Sequence, residues 1–337
     1  MAVVRCSYDT NRKKLSDIIP LKSPLSMYIE PTKRCNFKCF YCMHATRGEI
    51  GGILEQSGYT CTDLSFDFFK KIADDIIQFN ELPKRICFSG LGEPLMNPLL
   101  PEMVAHLRTR GYDGRVDIIT NGTLLNPALS QKLVRAGVSR IQISVQGLSG
   151  EAYQKNCGVR IDYNQFCRNL DYLFAHKENT QIYIKIIDAL LEDKRNRESF
   201  LETFSKASDQ IFVEHLIVME QQMGDHGGRV DYSRNLNNEP IVHRDVCPVC
   251  FYHLQVTKEG YTFPCPIPGL PSQFSMGNAT EQSLSEIWNS ERRRGFLRKQ
   301  LSKQRKNMSP CGTCMACTAV MDSNECLEDV SPGILGK

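Results

Sequence analysis

The sequence lacks the features that place a protein in a membrane or outside the cell. No apolar stretch reaches about 18 residues, which argues against a membrane-spanning helix. Residues 1–20 are polar and charged, without the apolar core of a signal peptide. The formal net charge is only +3, so the chain as a whole is not a polycation that would favour nucleic acid. We therefore expect a cytoplasmic protein with neither membrane nor nucleic acid as its partner.

Cysteine, in contrast, is abundant, with fifteen residues in a chain of 337. The cytosol keeps thiols reduced, so these residues are not expected to form disulfides. Their distribution is uneven, with three in one N-terminal loop and seven after residue 246. The remaining five, which we expect to be mainly core or surface thiols, are Cys6, Cys61, Cys87, Cys157 and Cys167.

The N-terminal group has the spacing Cys-x3-Cys-x2-Cys, formed by Cys35, Cys39 and Cys42. Three thiolates on one tight loop can hold three irons of a [4Fe-4S] cube, since such clusters need soft ligands. The fourth iron then has no protein ligand and can accept a small molecule. The alternative is a structural zinc site, which would need a fourth ligand, and His44 is the nearest candidate. The spacing favours the iron–sulfur cluster.

Strand and helix patterns alternate from about residue 25 to 220. Six such units imply parallel strands with right-handed crossovers. An eight-unit barrel needs about 250 residues and roughly 195 are present, so we predict an incomplete (β/α)6 TIM-like barrel of the α/β class. The predicted strands are 25–30, 85–89, 115–120, 140–145, 181–187 and 211–219. The predicted helices are 66–79, 99–110, 127–136, a long helical region reaching about residue 176, and 197–207.

A second motif follows the second strand: Gly90-Leu91-Gly92-Glu93-Pro94. Together with the cysteine loop, it resembles the signature of the radical SAM superfamily. The resemblance implies that the open iron is chelated by S-adenosylmethionine, whose amino group this motif binds. It also implies the partial barrel, with chemistry at the carboxyl ends of the strands, and formation of a 5′-deoxyadenosyl radical that abstracts hydrogen from a substrate.

Further cofactor contacts follow from the same resemblance. The predicted SAM-binding residues beyond the motif are Tyr41, Asn121, Ser144 and Arg160. Gln146 stands where many relatives carry Asp, and Cys157 stands where they carry an arginine that pairs with the SAM carboxylate. Lys155 or Arg160 could supply that charge. Cys157 is then either a packing residue or a catalytic thiol close to the radical.

The C-terminal cysteines resemble the SPASM or twitch extension of radical SAM enzymes, through a Cys-x9-Gly-x4-Cys pattern and downstream cysteines. This implies one or two auxiliary [4Fe-4S] clusters. The alternative is a zinc site made of two Cys-x2-Cys halves. The predicted ligands are Cys247, Cys250, Cys265, Cys311, Cys314, Cys317 and Cys326.

These patterns divide the chain into an N-terminal segment (1–24), a radical SAM partial barrel (25–220), a linker (221–246) and the SPASM/twitch domain (247–337). A basic stretch over residues 292–306 is interpreted first as a solvated helix face. Docking of an acidic flavodoxin or ferredoxin as electron donor is the second interpretation, and RNA binding is the third. Asp188 and Glu220 are positional candidates for substrate contact.

The favoured function is oxidation of a small polar substrate, of sugar or aminocyclitol type, through an auxiliary cluster. Only 34 residues precede Cys35, which we expect to be too few for a leader-binding domain of peptide-modifying relatives. The alternatives are an epimerase with a cysteine hydrogen donor, a peptide- or protein-modifying enzyme, a molybdopterin-precursor cyclase and a zinc-ribbon RNA-binding protein. Pro266 lowers the sulfatase-maturase option, because many such enzymes carry Asp there.

The cysteine loop gives the first prediction. Replacing Cys35, Cys39 and Cys42 together with alanine should remove one cluster, about four irons per protein. SAM cleavage should be abolished as well, which is measured as the loss of 5′-deoxyadenosine. Unchanged 5′-deoxyadenosine formation in the triple variant would end the radical SAM interpretation.

Overall fold

The computed structural model describes residues 2–7, 12–217, 231–242, 244–315, 317 and 322–336. Within these ranges, strands and helices alternate as the sequence predicts. The strands are β1 (Val3–Val4), β2 (Ser26–Ile29), β3 (Arg85–Phe88), β4 (Arg115–Thr120), β5 (Arg140–Ser144), β6 (Gln181–Ile187), β7 (Gln210–Glu214), β8 (His253–Val256), β9 (Tyr261–Phe263) and β10 (Gly277–Asn278). The α-helices are α1 (Ile53–Gln56), α2 (Phe66–Ile77), α3 (Leu100–Thr109), α4 (Pro127–Arg135), α5 (Gly150–Cys157), α6 (Tyr163–Ala175), α7 (Lys194–Phe204), α8 (Val249–Tyr252), α9 (Leu284–Trp288) and α10 (Glu291–Leu301).

The strands form one sheet in the order β1-β7-β6-β5-β4-β3-β2-β8-β9-β10. Strands β2 to β7 pair in sequence order and in parallel, which is the predicted six-strand (β/α) arrangement. Their carboxyl ends therefore meet along one edge, where the loops that carry the cysteine and glycine motifs begin. The two ends of the sheet are β1 and β10, so the barrel is open, as predicted.

The two faces of the sheet differ in polarity. In β6, Ile182, Ile184 and Ile186 are buried in the hydrophobic core, together with residues of the covering helices. The alternate positions, Tyr183 and Lys185, point to the opposite face because side chains alternate along a strand. This second face lines the inside of the barrel and carries ion pairs.

The predicted long helical region before residue 176 is in fact two helices. Helix α5 ends at Gly158, which adopts a left-handed conformation with φ of 72°. Glycine tolerates this conformation and ends helices for that reason. Asp162 then caps α6 by accepting a hydrogen bond from the backbone N–H of Gln165. The break directs the C-terminal end of α5 toward the cysteine loop.

The cysteine-rich extension continues the barrel sheet. Strand β8 pairs in parallel with β2, with Ser26 opposite His253, and β9 and β10 add to it in antiparallel fashion. Of the predicted linker (221–246), residues 221–230 and 243 lie outside the described residues, as does Glu220. The predicted domain boundaries remain predictions.

The basic stretch is not a uniformly solvated face, which corrects the first interpretation for two of its members. Arg293 is buried and stacks on Trp288, with the guanidinium carbon 3.3 Å from the ring centroid. Arg305 is also buried, against carbonyl groups. The other basic side chains of the stretch are exposed or half-buried. Two arginines thus support packing, as long amphipathic side chains can do.

Two glycines provide a matched stability test. Gly158→Ala should lower the stability of the protein by about 1 kcal/mol, because alanine resists the left-handed conformation. Gly295→Ala should raise it by about 0.5–1 kcal/mol, because Gly295 lies inside α10 with open space around its Cα. Thermal unfolding of the reconstituted variants measures both shifts. Equal unfolding midpoints for the two variants would contradict the left-handed conformation of Gly158 and the helical position of Gly295.

Candidate active site

The cysteine loop begins directly after β2 and is fixed by the C-terminal end of α5. The backbone N–H of Lys38 donates to the Cys157 carbonyl at 2.9 Å, and that of Phe40 donates to the Asn156 carbonyl at 3.1 Å. The N–H of Cys42 donates to the Cys39 carbonyl at 2.9 Å, which closes the second half of the loop. The three cysteines therefore lie on a tight turn with defined neighbours.

The three loop thiols lie in a largely buried environment. Burial raises the pKa of Cys35 to about 12 and that of Cys42 to about 11. Contact with Cys157, together with burial, raises the pKa of Cys39. Iron binding would replace the thiol protons, since the thiolate is the metal ligand. Three soft ligands on one loop fit three irons of a cube, although no described group of residues is already arranged as a metal site.

The glycine motif packs directly against the backbone after β2. A Cβ on Gly92 would lie 2.4 Å from the Thr32 carbonyl oxygen and 2.5 Å from that of Arg34. A Cβ on Gly90 would lie 2.6 Å from Cγ of Glu30. Real Cβ atoms do not approach other atoms so closely, so these two positions require glycine. The motif is thereby held beside the start of the cysteine loop.

Glu93 and Pro94 of the motif are both buried. One carboxylate oxygen of Glu93 accepts hydrogen bonds from the Leu95 N–H at 3.0 Å and the Thr120 hydroxyl at 2.5 Å. The other accepts from the Asn121 N–H at 2.7 Å. Burial raises the pKa of this carboxyl, and the hydrogen bonds oppose the shift. Glu93 therefore connects the carboxyl ends of β3 and β4.

Asn121 connects the carboxyl end of β4 to the cysteine loop. Its side-chain amide donates to the Asn36 side-chain oxygen at 2.8 Å. Asn36 in turn donates to the Thr123 hydroxyl at 2.9 Å. The predicted residue Asn121 thus contacts the loop through Asn36, which was not predicted as a site residue.

Tyr41 and Ser144 are joined through Gln146. The Tyr41 hydroxyl donates to the Gln146 side-chain oxygen at 2.5 Å. The Gln146 amide donates to the Ser144 carbonyl at 3.1 Å, and Asn156 donates to the Gln146 carbonyl at 2.8 Å. Gln146 is buried and links the cysteine loop, the end of β5 and α5.

The two cationic candidates for the SAM carboxylate lie on the surface. Arg160 forms an ion pair with Glu151, and both side chains are about 70% exposed. Its side chain passes near Gly150, at the N-terminal end of α5, which is roughly 10 Å along the helix from Cys157. Lys155 pairs with Glu192 at 2.8 Å. This exposed placement supports neither Arg160 nor Lys155 as the residue that binds the SAM carboxylate.

Cys157 is fully buried, and its sulfur lies 3.6 Å from the sulfur of Cys39. His44, the fourth ligand of the zinc alternative, is also buried, with its Nε2 3.1 Å from the Leu91 carbonyl oxygen. Burial lowers the pKa of His44 to about 4. His44 therefore connects the cysteine loop to the glycine motif.

Six of the seven C-terminal cysteines form an interacting group. Burial raises the pKa of Cys311 and Cys317 to about 12, and neighbouring thiols contribute to these shifts. Cys250 lies against Cys247, and its sulfur donates to the Cys247 carbonyl. Cys326 is exposed. The group consists of Cys247, Cys250, Cys265, Cys311, Cys314 and Cys317.

Arg305 organises the loop that carries three of these thiols. Its Nη1 donates to the carbonyls of Cys311 and Cys314, at 2.7 and 3.1 Å, and its Nη2 donates to the Arg244 carbonyl at 3.1 Å. From the sequence, Arg305 is predicted only to belong to the basic stretch. Its burial depends on long-range packing and has no local sequence signal.

The inside of the barrel carries an ion pair near the end of β5. Lys185 lies opposite Ser144 in the sheet, and its ammonium is 2.5 Å from a carboxylate oxygen of Glu214. Tyr183 donates to the other carboxylate oxygen at 3.3 Å. These residues were not predicted from the sequence, although a lysine within an otherwise apolar strand is a usable signal. Beyond the strand ends, Asp188 lies 2.5 Å from Nδ1 of the buried His215.

The chain belongs to the Radical SAM superfamily, whose family model matches residues 29–209. A second model, described as an iron-sulfur cluster-binding domain (SPASM), matches residues 247–317. The two assignments confirm the predicted class of protein. They imply SAM, a [4Fe-4S] cluster and auxiliary iron–sulfur clusters as cofactors. None of the described helices is long and apolar enough to cross a membrane.

Individual relatives are distant. The chain is 26% identical over 302 residues to the tungsten-containing aldehyde ferredoxin oxidoreductase cofactor-modifying protein of Pyrococcus furiosus, covering 79% of this chain and 81% of that protein. The crystal structure of BtrN in complex with AdoMet and 2-DOIA has a TM-score of 0.53 and 18% identity, covering 86% of this chain and 92% of BtrN. Streptococcus suis SuiB bound to precursor peptide SuiA has a TM-score of 0.61 and 15% identity, covering 95% and 76%. The two structures show the fold alone.

Arg305 gives a prediction for the auxiliary site. Arg305→Gln should lose about four irons, because the shorter neutral side chain leaves the cysteine loop without its carbonyl anchor. SAM cleavage should persist, since the N-terminal loop is untouched. Iron and sulfide analysis of reconstituted protein measures the loss. Lys306→Gln, at the exposed neighbouring position, should keep the full iron content. A normal iron content in Arg305→Gln would refute this role.

Proposed function

We propose that this enzyme oxidises a small polar substrate, of sugar or aminocyclitol type, with an auxiliary cluster as the electron acceptor. The observation that carries the proposal is the polar interior of the barrel, whose Lys185–Glu214 pair lies beside Ser144. A charged pair can bind hydroxyl and amino groups through several hydrogen bonds at once. An apolar substrate would remove water from this charged pair without offering it new hydrogen-bond partners, at a cost in free energy.

The inside of the barrel also carries charged groups at the amino ends of its strands. The Asp117 carboxylate lies 2.5 Å from Nε of Arg85 and 3.1 Å from Nε of Arg115. Asp117 is buried, and the Arg85 guanidinium lies 5.3 Å from the ring of Tyr28. These groups bind one another at the amino ends of the strands, whereas Lys185 and Glu214 lie toward the carboxyl ends. A substrate would therefore enter from the carboxyl face, where the cysteine loop lies.

The predicted site residues have two separate roles in this proposal: binding the cluster and fixing the loops around it. We assign Cys35, Cys39 and Cys42 to the cluster, and Glu93, Asn121 and Tyr41 to fixing the surrounding loops. When bound, the cluster and SAM supply hydrogen abstraction from the substrate. In this proposal, Lys185 and Glu214 orient the substrate and exchange their mutual ion pair for its hydroxyl or amino groups.

Oxidation is favoured over epimerisation by the surroundings of the thiols. Cys157, the barrel thiol considered as a hydrogen donor, is fully buried against Cys39. Six C-terminal thiols lie close enough to influence one another's pKa, and we assign them to the auxiliary cluster rather than to hydrogen donation. The epimerase alternative therefore needs another donor.

A peptide or protein substrate is the second candidate. The likeness to SuiB, solved with a precursor peptide, extends over 95% of this chain. That likeness concerns the fold, and the compact charged pair inside the barrel fits a small polar molecule better. The family assignment disfavours the zinc-ribbon RNA-binding alternative, and the burial of Arg293 and Arg305 weakens its basic footprint.

We also propose a flavodoxin or ferredoxin as the electron-transfer partner in the cytosol. The exposed side chains of Lys299, Lys303 and Lys306 lie on the segment that leads to the auxiliary cysteine loop. The Lys306 carbonyl oxygen packs against Gly312 of that loop. An acidic carrier would be attracted to this surface, because opposite charges accelerate encounter.

Reaction in deuterium oxide tests the proposal. The reconstituted enzyme is incubated with SAM and a panel of aminocyclitols and sugars, and products are analysed by mass spectrometry. Oxidation predicts a product with two hydrogens fewer and no solvent deuterium at the reacting carbon. An isomeric product with one deuterium would refute oxidation and indicate an epimerase, and single Cys→Ala variants would then locate the donor. A parallel panel of short peptides is the control, and turnover of peptides alone would refute the substrate class.

A further inference from the structure

We propose that the Cys157 thiol donates a hydrogen bond to the sulfur of Cys39 and thereby raises the reduction potential of the cluster held by the cysteine loop. The two sulfur atoms are 3.6 Å apart, within the range of a hydrogen bond between sulfurs. Cys157 is fully buried, so water does not compete for its proton. The inference does not depend on the substrate, and it gives Cys157 a role other than hydrogen donor to the substrate.

Backbone contacts fix the two cysteines relative to each other. The N–H groups of Lys38 and Phe40 donate to the last carbonyls of α5, on either side of Cys39. Phe37 packs edge-on against Tyr153 of the same helix, with ring centroids 5.8 Å apart. The end of α5 and the loop therefore form one unit, and the backbones of Cys157 and Cys39 cannot separate without breaking these contacts.

The direction of the hydrogen bond follows from the chemistry of the ligand. A cysteine that binds iron is a thiolate, so Cys39 can only accept. The S–H of Cys157 is then available as the donor. Tyr41 also neighbours Cys39, but its single hydroxyl proton is directed to the Gln146 side-chain oxygen at 2.5 Å.

The effect on the potential has a definite sign. Reduction adds negative charge to the cluster and its sulfur ligands, and a donor stabilises that charge more in the reduced than in the oxidised state. Hydrogen bonds to the sulfurs and solvent exposure are established determinants of cluster potential. Removal of the Cys157 donor should therefore make the potential more negative. The low dielectric of the buried site strengthens the effect.

The test is an anaerobic redox titration followed by electron paramagnetic resonance, on the signal that changes when SAM is added. Cys157→Ala should shift the midpoint to more negative potential than wild type. Cys157→Ser keeps a donor and should remain close to or above wild type. The control is Cys167→Ala, a half-buried thiol on α6, which should leave the midpoint unchanged.

A second measurement keeps the inference decidable if the alanine variant does not assemble its cluster. In protein exchanged into deuterium oxide, pulsed resonance should detect, besides the backbone deuteron of Phe37 that lies near the Cys35 sulfur, an additional deuteron coupled to this cluster in wild type and in Cys157→Ser. Absence of that coupling in wild type would overturn the proposal, as would identical midpoints in Cys157→Ala and wild type. Loss of about four irons from Cys157→Ser would also overturn it, because Cys157 would then be an iron ligand.

Discussion

The catalytic face depends on the close approach of two backbones after neighbouring strands. Gly92 lies against the Thr32 and Arg34 carbonyls, leaving no room for a side chain. Because of this approach, the Glu93 N–H donates to the Arg34 carbonyl at 2.8 Å. The Glu93 side chain then reaches the end of β4. This steric constraint at Gly92 therefore aligns the cysteine loop, the glycine motif and the carboxyl end of β4.

Hydrogen bonds between polar side chains connect the other loops of this face to the cysteine loop. Glu93 binds the Asn121 N–H, Asn121 binds Asn36, and Asn36 lies between Cys35 and Phe37 of the cysteine loop. On the other side, Gln146 binds Tyr41 and is held by Asn156. The cysteines are thus supported from β4, β5 and α5. Buried polar groups of this kind are stabilising only when they are paired, which favours a single arrangement of the loops.

The fold was largely predictable because its signals are local. Strand lengths, helix caps and the glycine and cysteine motifs each occupy a few consecutive residues, and the six parallel strands agree with the sequence expectation. The burial of Arg293 and Arg305 was not predictable in this way. Each depends in part on carbonyl groups of a distant segment, those of Cys250 and Phe251 for Arg293 and that of Arg244 for Arg305. A basic helix with the same local sequence could therefore be fully solvated. The Lys185–Glu214 pair likewise depends on the register between two strands.

The pairing of β2 with β8 has a consequence for how the protein is made. Strand β8 follows β2 by about 220 residues along the chain, so β2 is synthesised well before one of its neighbours. Until then, the edge of β2 exposes unpaired backbone groups that can pair with other chains. Pairing between strands so far apart in sequence also slows folding. The chain between them must lose conformational entropy before the stabilising contacts form. The strand that precedes the cysteine loop is thus exposed to aggregation in the nascent chain, and slower synthesis at lower temperature should increase the yield of soluble protein.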